Sequence, residues 1–206
     1  MIKVLISDDH AIVRYGIAKL LKENLCDVET EEAGDGKEAL EKARAEKFDL
    51  VILDIGMPKI NGFEVLKLLK AEIPHLPVMT LSVHLEEEYA MRILRSGGSA
   101  YLNKNAINEE LIMAVRKVLQ GGKYVSAGLA EKLTQQKEAG IHETLSDREF
   151  QVLYLISCGK TISDIANELS LSVKTVSTYR ERILQKTGMK NNAELMRYAM
   201  EHKLTP

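Results

Sequence analysis

The chain has 206 residues, 45% hydrophobic and 28% charged, with a formal net charge of −2, enough to bury one large core or, the better starting reading, two small ones. No stretch approaches the roughly 18 consecutive apolar residues of a membrane span, so a membrane partner is not expected. Lys+Arg number 17 against 20 Asp+Glu over residues 1–124 and 9 against 8 over 143–206, so bulk charge leaves little footprint for nucleic acid and any such claim must come from a motif.

The opening MIKVLISDDH holds one Lys and no small-residue cleavage site, and two aspartates cut its apolar run, so it does not read as a signal peptide. Cys26 and Cys158 fall in separate helical segments with no zinc or disulfide spacing, which points to a reducing, cytoplasmic compartment.

In chain order, apolar runs alternate with segments of helical period. IKVLIS precedes IVRYGIAKLLKENL and KEALEKARAEK, DLVILDI precedes FEVLKLLKAEI, PVMTLSV precedes EEEYAMRILRSG, and SAYLNK precedes NEELIMAVRKVLQGG. This alternation predicts an α/β fold with five strands and five helices, the strands in a doubly wound parallel sheet. VLI and LVIL are apolar on both alternating sets, as strands buried on both faces should be. After Gly121 and Gly122 the strand signal ends. Residues 123–143 read as a polar linker, with a helix over 128–138. From Thr144 onward the pattern is all-α, with capping boxes predicted at Ser146/Glu149 and Asn191/Glu194 and caps at Thr161 and Ser172. The domains are therefore 1–122, a linker 123–143, and 144–206.

In an open parallel sheet, ligands collect at the carboxyl ends of the strands. Asp8 and Asp9 end the first predicted strand, Asp54 the third, Ser82 the fourth and Lys104 the fifth. Three converging carboxylates repel one another and cost desolvation, so they call for a cation. An oxygen-only ligand set with few protein donors suits Mg²⁺.

Asp-Asp after the first strand, LDIGMP after the third, a hydroxyl after the fourth and YLNK after the fifth resemble, in order and spacing, the flavodoxin-like receiver domain of two-component response regulators. The resemblance covers about residues 1–122. It implies that Asp54 accepts a phosphoryl group from a sensor histidine kinase. Asp8, Asp9 and Asp54 would hold Mg²⁺ with the backbone carbonyl of Gly56. Ser82 would be the switch hydroxyl, Lys104 the phosphate-pairing lysine, and Tyr101 the aromatic that moves on activation. Asn61, Asn103 and Asn105 depart from residues frequent in the family. A Mg²⁺-dependent phosphatase using Asp54 as its nucleophile would place a second aspartate two residues on, where Gly56 stands; the chain is thus not expected to be an enzyme.

Four helical patterns follow: TLSDREFQVLYLISCG, TISDIANELS, SVKTVSTYRERILQKTG and NNAELMRYAMEHK. The short connections make the middle pair a helix-turn-helix. In the third, Val173, Val176, Ile183 and Leu184 share a face expected to pack inward. Lys174, Thr178, Glu181 and Gln185 form the opposite stripe, flanked by Thr175, Ser177 and Arg182. LSDRE followed by DIANELSLSVKTVSTYRERILQKTG resembles the LuxR-type output domain of the NarL/FixJ regulators. That resemblance implies base readers at Ser177, Thr178 and Glu181 and phosphate contacts at Lys174, Thr175, Arg180 and Arg182. It also implies double-stranded promoter DNA as partner and a homodimer as the active form. Leu195, Met196, Ala199 and Met200 of the last helix can serve dimerisation or the core. Two alternatives remain within the class: a regulator whose receiver acts by protein contacts without phosphorylation, against which the acidic set, Ser82 and Lys104 argue, and a quorum-sensing type, which the receiver pattern contradicts.

Overall fold

The computed structural model describes residues 1–57, 60–82, 86–126, 130, 140–202 and 204, which fall into two compact units, Met1–Thr134 and Gln135–Pro206. The helix expected over 128–138 lies, Ala130 apart, outside the described residues.

The first unit runs β1 (Ile2–Ser7), α1 (Ala11–Asn24), β2 (Val28–Ala33), α2 (Gly36–Ala45), β3 (Leu50–Asp54), α3 (Gly62–Glu72), β4 (Val78–Ser82), α4 (Glu86–Arg95), β5 (Ala100–Asn103) and α5 (Ile107–Leu119). The strands form one all-parallel sheet in the order β2-β1-β3-β4-β5, as the alternation of strand and helix predicts. Every residue of β3 and β4 is buried. Val4, Ile6, Leu50, Ile52, Met79, Leu81, Ala100 and Leu102 pack with Ile17 and Leu21 of α1 and Leu111, Ala114, Val115 and Val118 of α5. The alternate set, including Leu5, Val51, Leu53 and Val78, is equally buried and must face the other side of the sheet, since side chains alternate along a strand. β2 has no apolar run: VETEEA is an edge strand, held to β1 from Ile2↔Val28 to Ser7↔Ala33. After α5 the chain returns to the opposite edge, where Tyr124 bridges to Ala100 of β5 and its hydroxyl donates to Glu110 at 3.0 Å.

Two of the departures from family habit are helix caps. The buried Asn61 accepts the Glu64 amide at 2.8 Å to start α3, and Asn103 accepts the Asn105 amide at 2.9 Å to start the 3-10 turn Lys104–Ala106. Beside Asn61, Gly62 lies against the backbone after β3: a Cβ there would sit 2.2 Å from the Asp54 carbonyl oxygen and 2.7 Å from Ile55 Cα. Only glycine permits that approach.

The second unit opens with a 3-10 turn, Ile141–Thr144, inside the stretch read from sequence as linker. It continues as α6 (Asp147–Ser157), α7 (Ile162–Glu168), α8 (Val173–Thr187) and α9 (Asn192–Glu201). The turn is anchored by His142, whose backbone N–H donates to the Tyr198 hydroxyl at 3.2 Å and whose Nδ1 lies 2.8 Å from it. The Ser146/Glu149 box forms as expected. At Asn191 it does not: Glu194 accepts from the Lys190 amide at 2.8 Å instead, and the reciprocal pair forms at Thr161/Asp164. Asn191 has φ −157, against −63 and −74 at the two boxed caps, which turns its own amide away from the third residue. In α8 the buried stripe is Val176, Ile183 and Thr187, the latter two each about 20° from Val176 on the helical wheel. Val173, expected inside, is 51% exposed and Leu184 only half-buried. They stand roughly 60° and 80° from Val176, on the flank of the stripe. In α9, Leu195 and Ala199 are core, Met196 is half-buried and Met200 is exposed.

Glu149 is nearly fully buried and ties α6 to α8. It accepts the Ser146 amide at 2.7 Å and the Lys186 ammonium at 2.6 Å. Burial opposes its charge, but the bonds from Lys186 and Ser146 outweigh it and hold its pKa below the ordinary glutamate value.

Two predictions follow from this packing. Gly62→Ala should lower stability by about 1–3 kcal/mol, the usual cost of forcing atoms into a filled site, read as a lower urea midpoint with an unchanged m-value. Glu149→Gln should lower stability by roughly 1–3 kcal/mol at pH 7, since a charged acceptor is lost. A carboxylate whose folded pKa is depressed contributes fully above its unfolded pKa, about 4.3, and loses that contribution as pH falls through the folded value. Amide-exchange protection in α6 should therefore differ most between the two proteins at pH 7 and converge only as the pH falls through the depressed folded pKa of Glu149.

Candidate functional site

The strand order reverses direction between β1 and β3, and in such sheets the crevice beyond the carboxyl ends of those two strands is where ligands bind. Registry brings the polar residues there. Ser7 pairs with Leu53, so Asp8 follows one step beyond beside Asp54; Ser82 pairs with Asn103, so Lys104 follows one step beyond that.

Asp8 is fully buried, and Asp54 and Ser82 nearly so. The Lys104 ammonium reaches between the two carboxylates, 2.7 Å from Asp8 Oδ2 and 3.1 Å from Asp54 Oδ1. The first of these is an ion-pair contact only: Asp8 Oδ2 accepts no hydrogen bond among the described residues. Asp8 Oδ1 accepts the His10 amide at 2.8 Å. Asp9 is partly exposed, and His10 Nδ1 stands 2.7 Å from its Oδ1. One donor atom each from Asp8, Asp9 and His10 lies within 4.8 Å of the others. Arg14 of α1 donates to the Asp8 carbonyl at 2.7 Å and to Glu32 at 2.8 Å.

The charges interact strongly. Burial, reinforced by the Asp8 charge, pushes the Asp54 carboxyl up to about 6 against the pull of Lys104 and the Gly56 backbone N–H. Burial also works against the Lys104 charge, yet Asp54 and Asp8 outweigh it and hold that ammonium above its ordinary pKa. Two buried carboxylates thus share one ammonium, with the Asp9 carboxylate beside His10. The buried Asp8 Oδ2, without a hydrogen-bond partner among the described residues, and the close approach of the Asp8 and Asp9 carboxylates fit a hard divalent cation. Tyr101 is buried on β5, 1% exposed. His10 and Arg14 were not singled out from the sequence; His10 directly follows the paired aspartates, while nothing in the local pattern marks Arg14.

In the second unit, α7 and α8 form the helix-turn-helix. The chain turns at Ser170, whose φ of 52 is left-handed, with the Leu171 amide bonded to the Ala166 carbonyl at 2.8 Å. Lys174, Thr175, Thr178 and Arg182 line one surface depression with Ser172 and Tyr179. Thr178 Oγ1 donates back to the Lys174 carbonyl at 3.0 Å. Glu181 is exposed and Ser177 half-exposed on the outer side of α8. Arg180 is not brought to that side: it is half-buried, and its Nε donates to Asn192 Oδ1 of α9 at 2.6 Å.

Comparison with known proteins follows the same division. Residues 4–116 match the response regulator receiver domain, and residues 143–199 match the luxR family of bacterial regulatory proteins. Over 209 residues the chain is 31% identical to response regulator UvrY of Escherichia coli (strain K12), covering 99% of this chain and 96% of that one. Over 208 residues it is 36% identical to response regulator GacA of Pseudomonas syringae pv. syringae (strain B728a), covering 98% and 97%. Among solved structures it resembles RcsB from Salmonella enterica serovar Typhimurium bound to promoter rprA in the presence of phosphomimetic BeF₃⁻, with a TM-score of 0.65 and 26% identity over 96% of this chain and 98% of that one. The chain belongs to the NarL/FixJ family of two-component response regulators, a receiver domain followed by a LuxR-type DNA-binding domain.

Proposed function

We propose that this response regulator is gated by phosphorylation: Asp54 accepts a phosphoryl group from a sensor histidine kinase, and the C-terminal domain then binds promoter DNA as a homodimer in the cytoplasm. The domain limits we assign are 1–122, a linker 123–143 and 144–206, both ends of the linker packing on the unit they adjoin. No described helix is long and apolar enough to cross a membrane.

The observation that carries the reading is the buried Asp54 carboxylate with Lys104 Nζ at 3.1 Å, at the strand-order reversal of the sheet. In the proposed reaction an Asp54 oxygen attacks the phosphorus of a phosphohistidine in line with the leaving imidazole nitrogen; the P–N bond breaks and an acyl phosphate forms. Lys104 pairs with the phosphoryl oxygens. Asp8, Asp9, Asp54 and the Gly56 carbonyl would hold Mg²⁺, which supplies charge neutralisation to the transferring group. The Gly56 N–H and Lys104 keep Asp54 anionic against its burial, as an acceptor requires. Once phosphorylated, the new oxygens would draw in Ser82 and Lys104, with Tyr101 moving in response, an ordering switch of local charge.

At the DNA, Ser177, Thr178 and Glu181 are assigned to base edges, and Lys174, Thr175 and Arg182 to phosphates, which position without specifying. Arg180, a phosphate candidate by resemblance, is bonded instead to Asn192 of α9. The support is the RcsB likeness, whose DNA complex with a phosphoryl mimic spans both domains, and the depression that gathers Lys174, Thr175, Thr178 and Arg182 on one side of α8.

Two experiments test this reading. A small phosphodonor with Mg²⁺ should add one phosphoryl mass to the protein and raise its affinity for its promoter, and Asp54→Asn should lose both effects. Equal labelling of the variant would remove Asp54 as acceptor, and labelling without any change in DNA affinity would favour control by protein contacts. In sequence selection from a random pool, Glu181→Ala should relax preference at one position of each half-site, a contact worth roughly 1–3 kcal/mol of discrimination. Lys174→Ala should weaken all sequences alike and reduce the salt slope by about one.

A further inference from the structure

Arg180 lies on the same helix as the residues assigned to DNA but on a different side of it. Taking Val176 as the centre of the buried stripe, Arg180 sits about 40° away, whereas Glu181, Lys174, Gln185 and Thr178 sit roughly 140–200° away. Its side chain accordingly runs toward α9, where Nε donates to Asn192 Oδ1 at 2.6 Å, with both residues half-buried. Asn192 is the first residue of α9, its backbone fixed by the Asn191 cap on the Glu194 amide at 3.0 Å and by the left-handed Gly188 that ends α8 at φ 72. One turn and a half further along α8, Lys186 bonds Glu149 of α6 at 2.6 Å. The helix is therefore pinned at two points to two different helices, and its N-terminal turns, which carry Lys174, Thr175 and Thr178, extend beyond the first pin.

We propose that Arg180 is a positioning residue for DNA reading: its hydrogen bond to Asn192 sets the rotation of α8 about its own axis, and its role is not a phosphate contact. This rests on the reading of α8 as the DNA-contacting helix. Side chains reach about 5–6 Å from a helix axis, so a rotation of roughly 10° displaces a base-reading atom by about 1 Å, beyond the half ångström or so within which a recognition group has to be held. The packing of Val176 and Ile183 fixes which face of α8 is buried, and a directional hydrogen bond adds a sharper angular restraint than apolar contact alone. The planar guanidinium is directional: with Nε committed to Asn192 the whole group has one orientation.

The test uses the full chain with Mg²⁺ and a phosphodonor, and fluorescence anisotropy over a range of salt, on a duplex selected from a random pool and on an unselected one. Arg180→Met and Asn192→Ala should each weaken the selected duplex about tenfold, as expected for loss of one hydrogen bond to a charged group. The double variant should be no worse than either. The salt slope should stay unchanged, and the unselected duplex should be bound within twofold of wild type. Arg180→Lys, which keeps the charge and loses the Nε geometry, should behave like Arg180→Met, and thermal midpoints establish that each variant is folded. A slope lowered by about one in Arg180→Met, with Arg180→Lys near wild type and Asn192→Ala silent, would make Arg180 a phosphate contact and overturn the proposal. A wild-type chain that shows no sequence preference at any salt would overturn the reading of α8 itself, and the positioning role with it.

Discussion

One ammonium shared between two buried carboxylates organises the receiver. Lys104 stands within 3.1 Å of both Asp8 and Asp54, in surroundings where an unpaired charge would cost several kcal/mol. No local signal could assemble this trio, whose members lie 46 and 50 positions apart along the chain. Sheet registry does it, since each residue ends, or lies one step beyond, a strand paired to its neighbour. The hydrophobic runs thus serve the chemistry indirectly. They fix strand order and register, and these place charge against charge.

The surroundings of the trio are correspondingly rigid. Arg14 holds the Asp8 carbonyl, Asn61 starts α3 directly behind Asp54, and Gly62 allows α3 to approach the Asp54 backbone. The second unit uses the same device on a smaller scale. Glu149, buried between Ser146 and Lys186, fixes α6 to α8, and its negative charge is tolerated because both partners are donors.

Most of the architecture was legible where burial is two-sided. β3 and β4 read as LVILD and VMTLS because both faces of each are covered, and the acidic residues stood out because they end such runs. β2 was counted but could not be located, since VETEEA is an edge strand with three glutamates and only Ala33 fully buried. Its pairing with β1 is a backbone fact, which side-chain patterning does not report. In α8 the wheel identified Val176 and Ile183 but also took in Val173, because a broad apolar arc does not reveal where its edge meets solvent. By resemblance Arg180 is grouped with Glu181 and Arg182, although it stands about 40° from Val176 on the wheel; its partner Asn192 is visible only across the helix pair. The capping pattern at Asn191 failed for a reason invisible in residue types, the extended φ of the cap.

The composition that hid β2 has a consequence for the protein in concentrated solution. An open sheet has two unpaired edges, each a template on which a strand from another molecule can add. At one edge, Glu29 and Glu32 are exposed on β2, Glu32 paired with Arg14, and Lys3 of β1 clasps Glu31 and Glu46 beside it. Burying those charges against an incoming strand would cost more than the added backbone bonds return. At the other edge, the chain after α5 folds back so that Tyr124 already occupies the first bonding position beside β5. Charge at one edge and a backbone bridge at the start of the other thus both oppose the addition of a strand from a second molecule.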